Sequence, residues 1–182
     1  YGTRSLSHAP SVNIEFVSAN PTGPLSVAHG RQAAVGDVLS RILRAQGHRV
    51  TTEYYLNDEG RQIELLGRSL RARCLQALGR PEPFPEDGYH GGYLVDSATR
   101  LIQASRETLA EEPLAFFMER GIAEQLAEIR RVLDRFGLRF DQWTSQRWLR
   151  TSGRIDRVLK DLKAREALYE AEGALWFAST KF

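Results

Sequence analysis

Glu15-Phe16-Val17-Ser18-Ala19-Asn20-Pro21-Thr22-Gly23-Pro24-Leu25-Ser26-Val27-Ala28-His29-Gly30-Arg31 is the stretch on which the fold turns. Before it, the side chains from Val12 to Val17 alternate as in a β-strand. Within it, Pro21, Gly23 and Pro24 forbid helix and impose a loop. After it, Val35, Val38, Leu39, Ile42 and Leu43 recur at helical spacing, so Val27 to Gln46 reads as a helix stopped by Gly47. A strand thus delivers a glycine-containing loop to a helix start, where free N–H groups and the positive dipole end favour a phosphate or carboxylate. Ser18 and Asn20 supply hydrogen-bonding groups, and His29 in the first turn can donate to an anion. The block is neither a P-loop nor a dinucleotide fingerprint. From the residues alone, a nucleotide site and mere turn punctuation beside a surface histidine both remain open.

Outward from this block, Val50, Thr51, Thr52, Tyr54 and Tyr55 make Arg49 to Leu56 a second strand. A helix-length connection between two strands predicts a parallel pair with a right-handed crossover, as in nucleotide-binding α/β domains. Past Asn57-Asp58-Glu59-Gly60, a second helix carries Ile63, Leu66, Leu70, Cys74 and Leu78 on one side and ends near Gly79. Pro81, Pro83, Pro85, Gly88, Gly91 and Gly92 mark an irregular connection. Helices are expected over Tyr93 to Ala110 and Pro113 to Phe136, and a buried strand over Leu138 to Trp143. Ser152 is expected to cap a short helix with Ile155, Val158, Leu159 and Leu162, and a hairpin to turn at Glu172-Gly173. The expected class is α/β, with residues 1–79 as the first half of a nucleotide-binding domain, 80–136 as a mostly helical insertion and 137–182 as a return to that domain.

A chain of 182 residues, 42% hydrophobic and 26% charged, is long enough for a substantial core and is not disordered in composition. Its net charge of +2 does not by itself argue for a nucleic-acid partner. All its basic residues except Lys160, Lys163 and Lys181 are arginine, a residue suited to phosphate but also produced by codon bias. Cys74 is the only cysteine, which excludes an internal disulfide or a cysteine-based zinc site and fits the cytoplasm. No apolar run reaches the roughly 20 residues of a membrane span, Tyr1 to Pro10 does not read as a signal peptide, and the start at Tyr1 suggests a larger polypeptide. His8, His48 and His90 are too scattered for a metal site, and no metal ligand set is assigned. Tyr54, Tyr55, Trp143, Trp148 and Trp176 are expected in the core rather than stacked on RNA bases.

The opening block is similar to the first signature of class I aminoacyl-tRNA synthetases, in its arginyl form: a Ser-Ala-Asn-Pro lead-in, a Gly-Pro-Leu approach and then a His-hydrophobic-Gly-His core. Glu53-Tyr54-Tyr55-Leu56-Asn57-Asp58-Glu59-Gly60-Arg61-Gln62, Pro85-Glu86-Asp87-Gly88-Tyr89 and Gly173-Ala174-Leu175-Trp176-Phe177 resemble the same family, in the same order. The resemblance implies a Rossmann-like catalytic domain that activates arginine with ATP and Mg2+ to arginyl-adenylate and passes it to tRNA(Arg). His29 inherits the contact that stabilises charge at the α-phosphate, and Ser26 shares that position with it. Gly23, Pro24, Leu25, Ser26, Ala28 and His29 fall on the ATP side. Ser18 and Asn20 fall near the arginine, and Glu15 either meets its cationic group or pairs with a nearby arginine side chain. Tyr55, Asp58, Arg61 and Gln62 border the pocket, unless Asp58 merely caps the helix that follows it. No tightly bound cofactor, no membrane and a monomeric state are expected.

Two departures stand out, Ser26 in place of the first signature histidine and Ala28 in place of its glycine. Serine cannot carry imidazole's charge or reach, and alanine adds a methyl group where ATP would approach the backbone. Both predict weakened ATP activation. The second class I signature, with its mobile lysine, is also missing, so the chain is expected to be a catalytic-domain fragment not competent alone. The competing expectation is a free-standing degenerate paralogue acting as a nucleotide- or RNA-binding module without turnover.

Overall fold

A computed structural model of the chain describes residues 2–3, 8–80, 82–105 and 108–182. Pro81 and parts of the leader and helix 93–110 expectations therefore lie outside the described residues. Strands β1 (Ser11–Glu15), β2 (Arg49–Leu56) and β3 (Gln142–Ser145) form a parallel sheet in the order β1-β2-β3. Ser11 pairs with Arg49 and Glu15 with Glu53, while Glu53 pairs with Gln142 and Leu56 with Ser145. Helix α1 (Val27–Ala45) makes the first crossover. The second contains α2 (Arg61–Ala77), α3 (Gly92–Ser105), a 3-10 turn (Leu109–Glu111) and α4 (Leu114–Arg135). After the sheet come α5 (Gln146–Thr151), α6 (Arg154–Ala164), an antiparallel hairpin of β4 (Leu168–Ala171) and β5 (Ala174–Phe177), and a last 3-10 turn (Ser179–Lys181). The hairpin turns at Glu172 and Gly173 with φ of 54° and 73°, the two left-handed residues of a two-residue turn that follows strand twist. No described helix is long and apolar enough to cross a membrane.

The apolar face of α2 reads through to the structure. Ile63, Leu66, Leu70 and Cys74 are wholly buried, the last three among Leu94, Ala98 and Leu101 of α3, Leu109, and Phe117 of α4. Burial pushes the Cys74 thiol up to about 12, which keeps it an unreactive core group. A second core gathers Val17 and Ala19, Ala33 of α1, Tyr54 of β2, Ile129 and Leu133 of α4, and Leu138. Helix α4 thus spans both.

Several expectations are corrected. Strand β1 stops at Glu15 because Val17 and Ser18 take positive φ, 65° and 38°, a reversal that alternation cannot reveal. The strand expected over Leu138 to Trp143 forms at Gln142–Ser145, since Leu138 closes the α4 terminus by donating its N–H to the Leu133 carbonyl. Ser152 ends α5, with its hydroxyl on the Leu149 carbonyl, and Gly153 at φ 69° starts α6. Of the aromatics, Tyr54 is core and stacks on Trp143 at 4.2 Å, and Tyr55 is half-buried, but Trp148 and Trp176 are 45% and 48% exposed. Arg154 covers the Trp148 ring, and the Trp176 indole donates to the Ala171 carbonyl.

Helix α1 exposes its apolar stripe. It forms where expected, but it turns Ala33, Gly36 and Ser40 inward and leaves Val35, Val38, Leu39 and Ile42 between 45% and 63% exposed. The inward face is small because the Phe16 ring sits where a Cβ on Gly36 would lie, 2.2 Å from it. Periodicity found the stripe but not the side that is covered. Replacing Ile42 by lysine is therefore expected to change the unfolding free energy by no more than about 0.5 kcal/mol, as for other exposed sites. Urea titration of the chain would refute this with a loss of core size.

Asp141 ties the sheet together, accepting from the Thr52 N–H at 2.8 Å, the Thr52 hydroxyl at 2.9 Å and Arg44 at 2.9 Å. The Thr52 N–H, then its hydroxyl and the Arg44 cation, hold this carboxyl below its ordinary value. A carboxyl depressed in the fold lends stability above its unfolded pKa and loses it as pH falls through the folded one. Asp141→Asn is expected to flatten the acid limb of the stability profile below about pH 4, the ordinary carboxyl range. An unchanged slope there, followed by thermal melting, would contradict it.

Candidate active site

The loop between β1 and α1 is strapped to the sheet from beneath. The Ser18 hydroxyl accepts from the Tyr55 N–H at 3.0 Å, and the Tyr54 hydroxyl donates to the Ala19 carbonyl at 2.8 Å. Burial pushes the Tyr54 phenol up, so it stays a donor. The Ser18 N–H turns back to the Phe16 carbonyl at 2.9 Å, and that of Thr22 to the Asn20 carbonyl at 2.8 Å. Two consecutive non-glycine residues at positive φ cost on the order of 1–2 kcal/mol each. The straps from β2 hold that conformation in place.

Above the straps, Ala19, Asn20, Thr22, Gly23, Pro24 and His29 line a cavity of about 350 Å³, closed on its far side by Tyr89 and Tyr93. The Asn20 amide donates to the Gln62 side-chain oxygen at 2.6 Å, which joins the loop to the first turn of α2. At the start of α1, the Ser26 N–H donates to His29 Nδ1 at 3.0 Å, with the Ser26 hydroxyl 3.1 Å from the same nitrogen. A backbone N–H can only donate, so Nδ1 accepts and the neutral ring carries its proton on Nε2. The arrangement leaves Nε2–H without a protein partner among the described residues, available to an anion.

The other sequence candidates lie outside the lining of this cavity. Leu25 packs beneath the loop against the second core, while Ser26 and Ala28 are exposed at the helix start. Glu15 lies at the end of β1 in a neighbouring cleft of about 520 Å³ with Phe16, Arg31 and Leu39. Among the described residues it forms no ion pair. Arg61 bonds Asp87 at 3.1 Å. Asp58 does not cap α2, whose N-cap is Gly60. It braces the start of α5, whose N-cap is Ser145, accepting from the Ser145 hydroxyl at 2.6 Å and the Arg147 N–H at 3.0 Å. Tyr55 stands beside it, its phenol pushed up by burial first and then by the Asp58 and Glu59 carboxylates. Tyr89 and Tyr93 were not singled out as pocket residues by sequence; the only pointer was Tyr89 closing the Pro85-to-Tyr89 motif.

The family described as "tRNA synthetases class I (R), catalytic domain" matches residues 2–82. The arginine–tRNA ligase of Geobacillus thermodenitrificans is 46% identical over 186 aligned residues, covering 100% of this chain and 33% of that protein. The arginine–tRNA ligase of Shouchella clausii is 43% identical, covering 100% and 34%. The chain therefore spans about a third of the length of the curated relatives it matches. A crystal structure of an arginyl tRNA synthetase from Campylobacter jejuni superposes with a TM-score of 0.87 at 32% identity, over 100% of this chain and 40% of that one. Thermus thermophilus arginyl-tRNA synthetase shares the fold, with a TM-score of 0.67 at 22% identity over 100% and 32%.

Proposed function

We propose, from the premise that this chain carries the front part of the catalytic domain of an arginyl-type class I tRNA synthetase, that it supplies the ATP- and arginine-facing loop of an arginine–tRNA ligase. In that reaction an oxygen of the arginine carboxylate attacks the ATP α-phosphorus, and the bond to the β-phosphate oxygen breaks. Pyrophosphate leaves and arginyl-adenylate remains. A terminal ribose hydroxyl of tRNA(Arg) then attacks the arginyl carbonyl and releases AMP. Mg2+ enters with ATP as part of the substrate complex. Activity of the whole reaction is assigned to a polypeptide of the relatives' length, working in the cytoplasm as a monomer. Residues 1–79 supply the nucleotide-binding half, 80–136 an insertion and 137–182 the return.

The observation that carries this reading is the convergence of Asn20, Gly23, Pro24 and His29 on one cavity at the start of α1. His29, in the first turn of α1 and on the cavity wall, offers Nε2–H as a donor for a phosphate oxygen, and a donor already in place stabilises charge as it develops. Gly23 and Pro24 border the ATP side with Leu25, Ser26 and Ala28. Asn20, held by Gln62, faces the amino acid, with Ser18 beneath it and Glu15 in the adjoining cleft as the anion for arginine's guanidinium. Tyr55, Asp58 and Arg61 form the outer border.

Calorimetric titration with ATP and Mg2+, with and without arginine, tests the proposal. Ser26→His/Ala28→Gly is expected to tighten ATP binding about tenfold, or ~1.4 kcal/mol. Unchanged affinity in the double variant would sink the roles given to positions 26 and 28. A lack of binding by both forms would sink the claim that this chain alone assembles the loop site.

A further inference from the structure

The geometry points to Tyr93 as a positioning residue for the ligand loop, carried by α3 and acting on the loop's backbone rather than on the ligand. Its hydroxyl donates to the Thr22 carbonyl at 2.6 Å, between the two prolines of the loop. Its ring lies directly on Gly23, where an added Cβ would sit 3.2 Å from the hydroxyl oxygen and 3.3 Å from Cζ. The same ring fills the space over Gly91, where a Cβ would fall 2.3 Å from Cε1. Both glycines are thus explained by one ring.

The ring is itself well held. Tyr93 packs against the first core, and the strand of chain before it is pinned to α2 where the Tyr89 N–H donates to the wholly buried Ser69 hydroxyl at 3.0 Å. The far side of Tyr93 lines a second cavity, with Asp96, Arg100 and Glu128, so the ring is the wall between two hollows. A loop with two prolines has few N–H groups of its own to anchor it. One side-chain donor to Thr22, with a flat ring on Gly23, fixes the height at which Asn20 and His29 face each other. The inference rests on the reading of this cavity as the ligand site.

Two variants separate positioning from simple packing. Tyr93→Phe keeps the ring and removes the donor, and Tyr93→Leu removes both. Amide hydrogen exchange, followed by mass spectrometry on the ligand-free chain, is expected to rise about fivefold for peptides covering 19–26 in Tyr93→Phe, the fold-change of one neutral hydrogen bond. Peptides from α2 should be unchanged. ATP or arginine affinity should fall several-fold in Tyr93→Phe and further in Tyr93→Leu. Equal exchange over 19–26 in native and Tyr93→Phe chains overturns the inference. So does a rise in exchange with both affinities unaltered, which would leave Tyr93 as packing alone. Failure of the native chain to bind either ligand would remove the functional reading, while loop exchange, read without ligand, still decides whether Tyr93 sets the loop.

Discussion

Asp58→Ala is expected to destabilise the chain by about 2–4 kcal/mol, as the loss of charge-assisted bonds to a buried carboxylate does. Asp58 is 8% exposed, and its two oxygens take the Ser145 hydroxyl and the Arg147 N–H. The Arg147 guanidinium returns to the Asp58 carbonyl at 3.0 Å and reaches Glu119 of α4 at 2.7 Å. The alanine variant leaves two donors at the start of α5 without acceptors and loosens a junction of β2, β3, α4 and α5. Asp58→Asn keeps one good acceptor and should cost about half as much. Urea unfolding gives the magnitude, and hydrogen exchange gives the place. Faster exchange at residues 145–148 is expected, whereas a change confined to 61–64 would mean that Asp58 serves α2 after all. A cost below about 0.5 kcal/mol, the range of exposed surface changes, would refute the buried-anchor account.

Asp58 also illustrates which features a sequence discloses. The βαβ unit was legible because its signals are local: β-branched residues at 49–56, a helical period in α1 and α2, and glycines at 47, 79 and 137 whose φ of 89°, 74° and 81° only a helix stop requires. The loop signature was legible as a word, and the structure brings Asn20, Gly23, Pro24 and His29 to one cavity. Partners distant in sequence were not. The acceptor for Arg147 lies 89 positions away, and the donor to Thr22 lies 71 away. No period or propensity encodes such pairs. The exposure of the α1 stripe was not legible for a related reason: period shows that a helix has an apolar side, but only the tertiary neighbours decide what covers it. Within this chain, Phe16 takes the space over Gly36, while Val38 and Ile42 stay more than half exposed.

Phe117→Ala should have the largest effect, a loss of about 3–5 kcal/mol. The ring is wholly buried where α2, α3 and α4 meet, against Leu66, Leu70, Leu94 and Leu101, and edge-on to Phe116 at 5.4 Å. The helices around it have no slack with which to close a cavity. A Cβ on Gly67 would lie 2.5 Å from Met118 Cγ and 3.0 Å from its backbone nitrogen, and one on Gly121 would lie 3.0 Å from Leu66. With backbones already in close approach, the hole left by alanine stays open, and the upper part of the range applies. Since domains are stable by only about 5–15 kcal/mol, the variant forfeits a large share of the total. Its urea midpoint should fall at unchanged slope, and Phe117→Leu should recover more than half of the loss. The consequence reaches the ligand loop because α2, whose interior side rests on Phe117, presents Gln62 to Asn20 from its first turn. If sheet and helices unfold as one unit, exchange at 19–26 in Phe117→Ala will rise by the same free energy as exchange in α2. If the loop is held by β2 and Tyr93 alone, α2 will open at lower urea than the loop, and the bond between Asn20 and Gln62 will be a contact between two separately stable parts.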